Sequence, residues 1–163
     1  SALMTGAGQT QAATSTFGSS GADEEGDLLA AMDLIFANAR VSGDEPMALI
    51  LPAGKRSAML NTQLFGNVVE SLQDHMGRIA NLRVYYSRDS TVSSDALLLI
   101  PGSETAEFFQ YNGEGFMETE LTRLPGVGYD WLLTSFFGSV IHEHQDGAAS
   151  GKNYRICKIT GVA

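Results

Sequence analysis

MALILPAGKRSAML, residues 47–60, is the stretch on which the fold turns. Met47 to Leu51 are all apolar and lie between Pro46 and Pro52. A short apolar run without polar alternation, bounded by proline, reads as a buried strand. Pro52 then suits the first turn of a helix, where its missing N–H would have had no partner anyway. The residues that follow, PAGKRSAMLNTQ (52–63), have helical composition. A buried strand leading directly into a helix implies a sheet with helices laid over it.

Working upstream, ADEEGDLLAAMDLIFANARV (22–41) predicts a helix over about 24–41. Leu28, Met32, Ile35, Phe36 and Ala39 recur at helical spacing. Ser20 with Asp23 three residues on matches a capping box, and Asp23, Glu24, Glu25 and Asp27 crowd the end where the helix dipole favours negative charge. Residues 1–22, SALMTGAGQTQAATSTFGSSGA, are mostly small or polar. They promise little burial to offset ordering, so a mobile leader or linker is expected there, followed by a single α+β domain over 23–163.

Downstream, Phe65, Val68, Val69, Leu72, Met76 and Ile79 suggest a second helix, interrupted by Gly77. NLRVYYS (81–87) and DALLLIPG (95–102) are strand candidates joined by RDSTVSS. TAEFFQYNGEGFMETEL (105–121) is a short helix or a strand entering a hairpin at Asn112-Gly113. WLLTSFFGSVIHEH (131–144) and KNYRICKIT (152–160) are rich in aromatic and β-branched residues and predict a long closing β-hairpin. The fold class expected is α+β: a long helix, a small mixed sheet with helices, and that hairpin.

Composition narrows the function. A chain of 163 residues is most simply one domain, and 44% hydrophobic residues are enough for a core. No apolar run approaches the roughly 20 residues that cross a bilayer, and SALMTGAGQT does not read as a signal peptide, so a soluble protein is expected. Opening on Ser1, the chain is expected to be a processed or cut piece of something longer. Nineteen acids against ten bases give a net charge of −9, the wrong balance for holding phosphates. Lys55 and Arg56 are the densest basic stretch, so sequence-specific nucleic-acid binding is not expected. A single cysteine, Cys157, excludes an internal disulfide and a cysteine-based zinc site.

The strongest chemical candidate is SVIHEHQDG (139–147). On a strand, His142 and His144 share a face and Glu143 takes the other. Two neighbouring imidazoles could begin a zinc or iron site, with Asp146, Glu118, Glu120 or His75 completing it. The pair also lies where a strand runs out into QDGAASG, which explains it as a solvated strand end. The second explanation is preferred, and a small metal-dependent enzyme using His142 and His144 is the alternative. GAGQT (6–10) lacks the Gly-Lys-Ser/Thr ending and the preceding strand of a phosphate loop. Ser57 and Ser135 lack the glycines of a nucleophile elbow. Arg155 and Lys158 flank Cys157 and could activate it, but a strand cysteine is more often a small packed hydrophobe. Tyr129, Trp131, Phe136 and Phe137 read as core or subunit interface, and the pairs Glu118/Glu120 and Asp44/Glu45 as solvated surface. No catalytic, cofactor-binding or metal residue is assigned, and no cofactor is expected.

The order of elements resembles the C-terminal two thirds of a major capsid protein of tailed phages and prophages, of the Hong Kong 97 type. The family's spine helix is resembled by GDLLAAMDLIFANARV, and its strand running through proline into helices by MALILPAGKRSAML. DALLLIPG and WLLTSFFGSVIHEH…YRICKITGV look like its later strands and tail, so the likeness covers about residues 24–161. It implies a structural protein and homo-oligomer, packed into hexameric and pentameric rings of an icosahedral head. Assembly in the bacterial cytoplasm into a virion, with no membrane partner and no catalytic residues, is what the resemblance implies. An encapsulin-like or phage-tail assembly protein would share the role and differ in partner.

Overall fold

Regular structure starts at Ala2 in the computed structural model, which describes residues 2–39, 41, 43–89, 92–102, 104–110, 117–118, 122–124, 128–130, 133–134, 137–141 and 152–163. Helix α1 (Ala2–Gly6) leads into strand β1 (Ala7–Ala12), then helix α2 (Glu24–Asn38) and strand β2 (Met47–Pro52). A 3-10 turn (Ala53–Lys55) and helix α3 (Arg56–Leu60) precede strands β3 (Thr62–Phe65) and β4 (Val68–Ser71). Helix α4 (Leu72–Ala80), β5 (Leu82–Ser87), β6 (Ala96–Leu99) and β7 (Ala106–Gln110) follow. Short strands β8 (Met117–Glu118), β9 (Thr122–Leu124), β10 (Gly128–Asp130) and β11 (Leu133–Thr134) lead to β12 (Phe137–Ile141) and β13 (Asn153–Thr160). The class is α+β around a mixed sheet, ordered β1-β13-β6-β2-β5.

Where a mobile leader is expected over residues 1–22, the chain instead builds the edge of that sheet. β1 lies parallel to β13, with Gln9 opposite Cys157 and Ala12 opposite Thr160. The pairing continues past the strand: Ala13 N–H donates to Thr160 O at 2.9 Å and Phe17 N–H to Val162 O at 3.0 Å. Phe17 is only 2% exposed. Small side chains bury little area on their own, but their backbone groups satisfy an otherwise open edge of β13. Gly8 is required by the close approach, since a Cβ there would lie 2.6 Å from Asn153 O.

α2 begins at Asp23, whose Oδ1 accepts from Gly26 N–H at 3.0 Å, so Asp23 and not Ser20 is the cap. The helix ends at Asn38, and its stripe of Leu28, Ala31, Met32 and Ile35 is buried against the sheet, where α2 crosses β13 and β1. β2 is buried except at the half-buried Ile50, as its unbroken apolar run predicts, and pairs parallel with β5 and antiparallel with β6.

The second predicted helix is half right. Thr62–Phe65 and Val68–Ser71 form a hairpin, and only from Leu72 does the chain become helical. Gly66 at φ +63° opens the two-residue turn, a conformation that ends any helix and suits the first position of a type II′ turn. Val68 and Val69 then prefer the extended backbone. Ser71 caps α4, its Oγ accepting from Asp74 N–H at 3.1 Å, and Asn81 closes it in the left-handed region at φ +49°.

The long closing hairpin does not form. β13 has β1 on one edge and β6 on the other, so neither edge is open to β12, which pairs antiparallel with β7. The turn expected at Asn112-Gly113 lies outside the described residues. α2 and α4 cover one face of the sheet, joining Leu28, Ile35, Leu72 and Met76 to Leu49, Leu51, Leu98, Cys157 and Ile159. On the opposite face Ala7, Ala48, Leu97, Leu99 and Ile156 form a second cluster, with Leu3 and Met4 of α1 packed on it. Among the described residues no helix is long and apolar enough to cross a membrane.

Candidate assembly surface

The β3–β4 hairpin carries two unlike faces. Register pairs Thr62 with Ser71, Gln63 with Glu70, Leu64 with Val69 and Phe65 with Val68. Directly opposed residues share a face, so Leu64 and Val69 lie together on one side and Glu70 with Phe65 and Gln63 on the other. Leu64 is 68% exposed and Val69 70%. A cross-strand aliphatic pair this open stands outside the core and leaves apolar surface at the outer side of the hairpin.

The inner face is clamped to the helices. The Phe65 ring stacks on His75 of α4, with centroids 3.9 Å apart and planes within 10°. His75 Nδ1 lies 2.8 Å from Glu70 Oε1 on β4, and His75 Nε2 lies 3.0 Å from Glu25 Oε1 on α2. Arg78, one turn on, donates to Glu70 as well. The Arg78 guanidinium, and then the His75 ring, hold the Glu70 carboxyl below its ordinary pKa, and Glu70 in turn raises that of Arg78. The imidazole is thus a strut between hairpin and helices, which keeps the outer apolar pair presented. The same chain segment holds Tyr86 on β5 against α4, its hydroxyl donating to Gln73 Oε1 at 2.7 Å, with burial raising its pKa.

His142, His144, Asp146 and Glu120 lie outside the described residues; Glu118 is in β8, opposite Leu133. His75 is engaged by carboxylates on two different elements, and among the described residues no three of His, Cys, Asp and Glu are grouped to hold a metal ion. Cys157 is buried, and that burial pushes its thiol up to about 11, so it is protonated and packed at neutral pH. GAGQT spends its backbone on the end of α1 and the β1 ladder, which leaves no cradle for phosphate. Lys55 reaches back to Phe17 O at 3.4 Å, and Ser57 sits in α3. Glu45 pairs with Arg155 at 3.6 Å, an ion pair within the fold and not the solvated surface expected. Tyr129 is in β10 and Phe137 in β12; Trp131, Ser135 and Phe136 lie outside the described residues.

Reading 65–69 as helix hid the exposed Leu64/Val69 pair. The signal that could have revealed it is Gly66-Asn67 between two runs of strand-forming residues.

Neither a protein-family model nor a curated protein matches the sequence. In structure the chain is similar to a chain of the virus-like particle from Pyrococcus furiosus, with a TM-score of 0.60 at 12% identity. The match takes in 94% of this chain and 56% of that one, so the protein spans little more than half of its neighbour's length. At that identity the two share a fold, and the α+β architecture is of a kind found in a virus-like particle.

Proposed function

We propose that this chain is part of the subunit of a protein shell, built by packing many identical copies, and that the shell is a phage or prophage head of the Hong Kong 97 type. The observation that carries the reading is the fold shared with a virus-like-particle chain over nearly the whole length. The exposed Leu64/Val69 pair on a braced hairpin supports it, because a shell subunit must offer apolar surface that its own fold leaves unfilled. Under this reading the protein performs no catalysis and takes no cofactor. Its partners are copies of itself in pentameric and hexameric rings, and its place is the virion, after assembly in the bacterial cytoplasm. A net charge of −9 suits an inner wall that must enclose nucleic acid without holding it.

Light scattering and electron microscopy of purified protein over a concentration series test this. Rings or closed particles are the expected result; a monomer at every concentration overturns it. The metal-dependent alternative is separated by metal analysis of the same preparation. Stoichiometric zinc or iron, lost on combined His142→Ala and His144→Ala substitution, would count against the shell.

A further inference from the structure

We propose that the β3–β4 hairpin of one copy seats in a groove beside β5 of the next, a head-to-tail contact between copies of this chain. The inference rests on the shell reading and names the contact that would build its rings. The groove lies on the sheet face turned away from α2 and α4. Register sets Leu99, Ala48 and Arg83 in one cross-strand row and Leu97, Ile50 and Tyr85 in the next. β5 is an edge strand, so both rows stop there and leave a depression of about 420 Å³ walled by Ala48, Ile50, Tyr85, Leu99 and Pro101. Arg83 stands at its rim, and Tyr85 is 53% exposed.

A copy cannot fill its own groove. The hairpin packs on α4, whose Leu72 and Met76 join the helix-covered core, whereas Ala48 and Leu99 belong to the cluster on the opposite face. Charge selects the occupant. Glu25 reaches His75 beneath the hairpin, Glu70 on β4 is shared by His75 and Arg78, and Asp74 accepts from Ser71 at its base, so the knob's flank sets three carboxylates against the one Arg78 guanidinium. The groove carries Arg83 at its rim, with Arg88 just beyond β5. Knob against knob would set acid against acid, and groove against groove would set Arg83 against Arg83. Of the three pairings, knob into groove matches both apolar shape and charge, and such a contact is heterologous, the kind that closes into a ring where the rotation between copies allows it. A two-strand turn in a shallow groove is small beside the roughly 1,200–2,000 Å² of a stable interface, so single contacts are transient and ring closure, with two per copy, holds them.

Leu64→Cys and Tyr85→Cys chains, mixed and treated with a short bismaleimide, test the contact; both positions are more than half exposed, and native Cys157 is buried. The mixture is expected to give a cross-linked dimer that neither variant gives alone. Leu64→Asp and Tyr85→Asp are each expected to weaken self-association about tenfold or more. Mixed, these two are expected to form one-to-one dimers and no rings. Assembly of the unmodified chain without the mixed cross-link, or with either cysteine variant linking to itself as strongly, overturns the contact and leaves the shell reading standing. An unmodified chain that stays monomeric by light scattering overturns the shell reading and this contact with it.

Discussion

Asp27 combines two roles that pull the same way. In the first turn of α2 it faces the positive end of the helix dipole, and buried there it accepts from Thr14 N–H at 2.8 Å and from Thr14 Oγ1 at 2.7 Å. Asp27→Ala strands the Thr14 amide beneath the β1–α2 junction, and a loss of roughly 1–3 kcal/mol is expected in urea denaturation, partly recovered by Asp27→Asn. Glu70 carries a pH signature. Arg78 first, then His75, depress its carboxyl below the ordinary value of 4.5, so the folded form binds its proton less readily than the unfolded one. The stabilisation is present above 4.5 and is lost as pH falls through the depressed folded value. Denaturation midpoints measured down the acid limb should fall less steeply in Glu70→Gln than in the parent; superimposable limbs would remove Glu70 from the account. The first-turn acids of α2 were readable from the sequence, but the partners of Asp27 and Glu70, 13 and 8 residues away along the chain, were not.

Among the elements, β1 gives the most direct test of the corrected N-terminal segment. Gly8→Ala would place a Cβ 2.6 Å from Asn153 O and 2.8 Å from Tyr154 Cδ1, and backbone cannot yield as a side-chain tip can. Detachment of β1 is expected, seen as faster amide exchange over Gln9–Ala12 while β2 and β6 stay protected. Gly77 sends the opposite signal. Its φ is ordinary and a Cβ would meet only Leu82 O at 3.5 Å, so Gly77→Ala is expected to stabilise α4 by about 0.4–1 kcal/mol in the same denaturation measurement. α2, β2, β5 and β6 were legible because their own side-chain patterns report burial. β3 and β4 were misread because Phe65, Val68, Val69 and Leu72 fit a helical period as well as a strand, and the turn at Gly66 decides between them.

At the scale of the whole molecule, the charge of −9 sets how the surface meets other polyanions. Duplex DNA is expected to show no retardation with this protein in a mobility-shift assay at physiological ionic strength, and a salt-dependent shift would contradict the wall reading. The sheet order also explains why the C-terminal strand is so well protected. β13 is flanked on both edges, by a strand from the start of the chain and one from its middle, and Ile156, Cys157 and Ile159 along it are fully buried.

By itself the sequence determined the class, the helix α2 with its acidic first turn and the buried strands, and it carried the resemblance that the shared fold partly supports. These are properties of neighbouring residues, where period, proline and charge act over a few positions. Only the tertiary structure decided that β1 is sheet and not leader, that β13 joins β1 and β6 instead of β12, and that Leu64 and Val69 stand out on a braced hairpin. The reason is physical: backbone pairing is the same for every residue type, so which strand completes which edge is chosen by the competition of the whole chain for open hydrogen bonds.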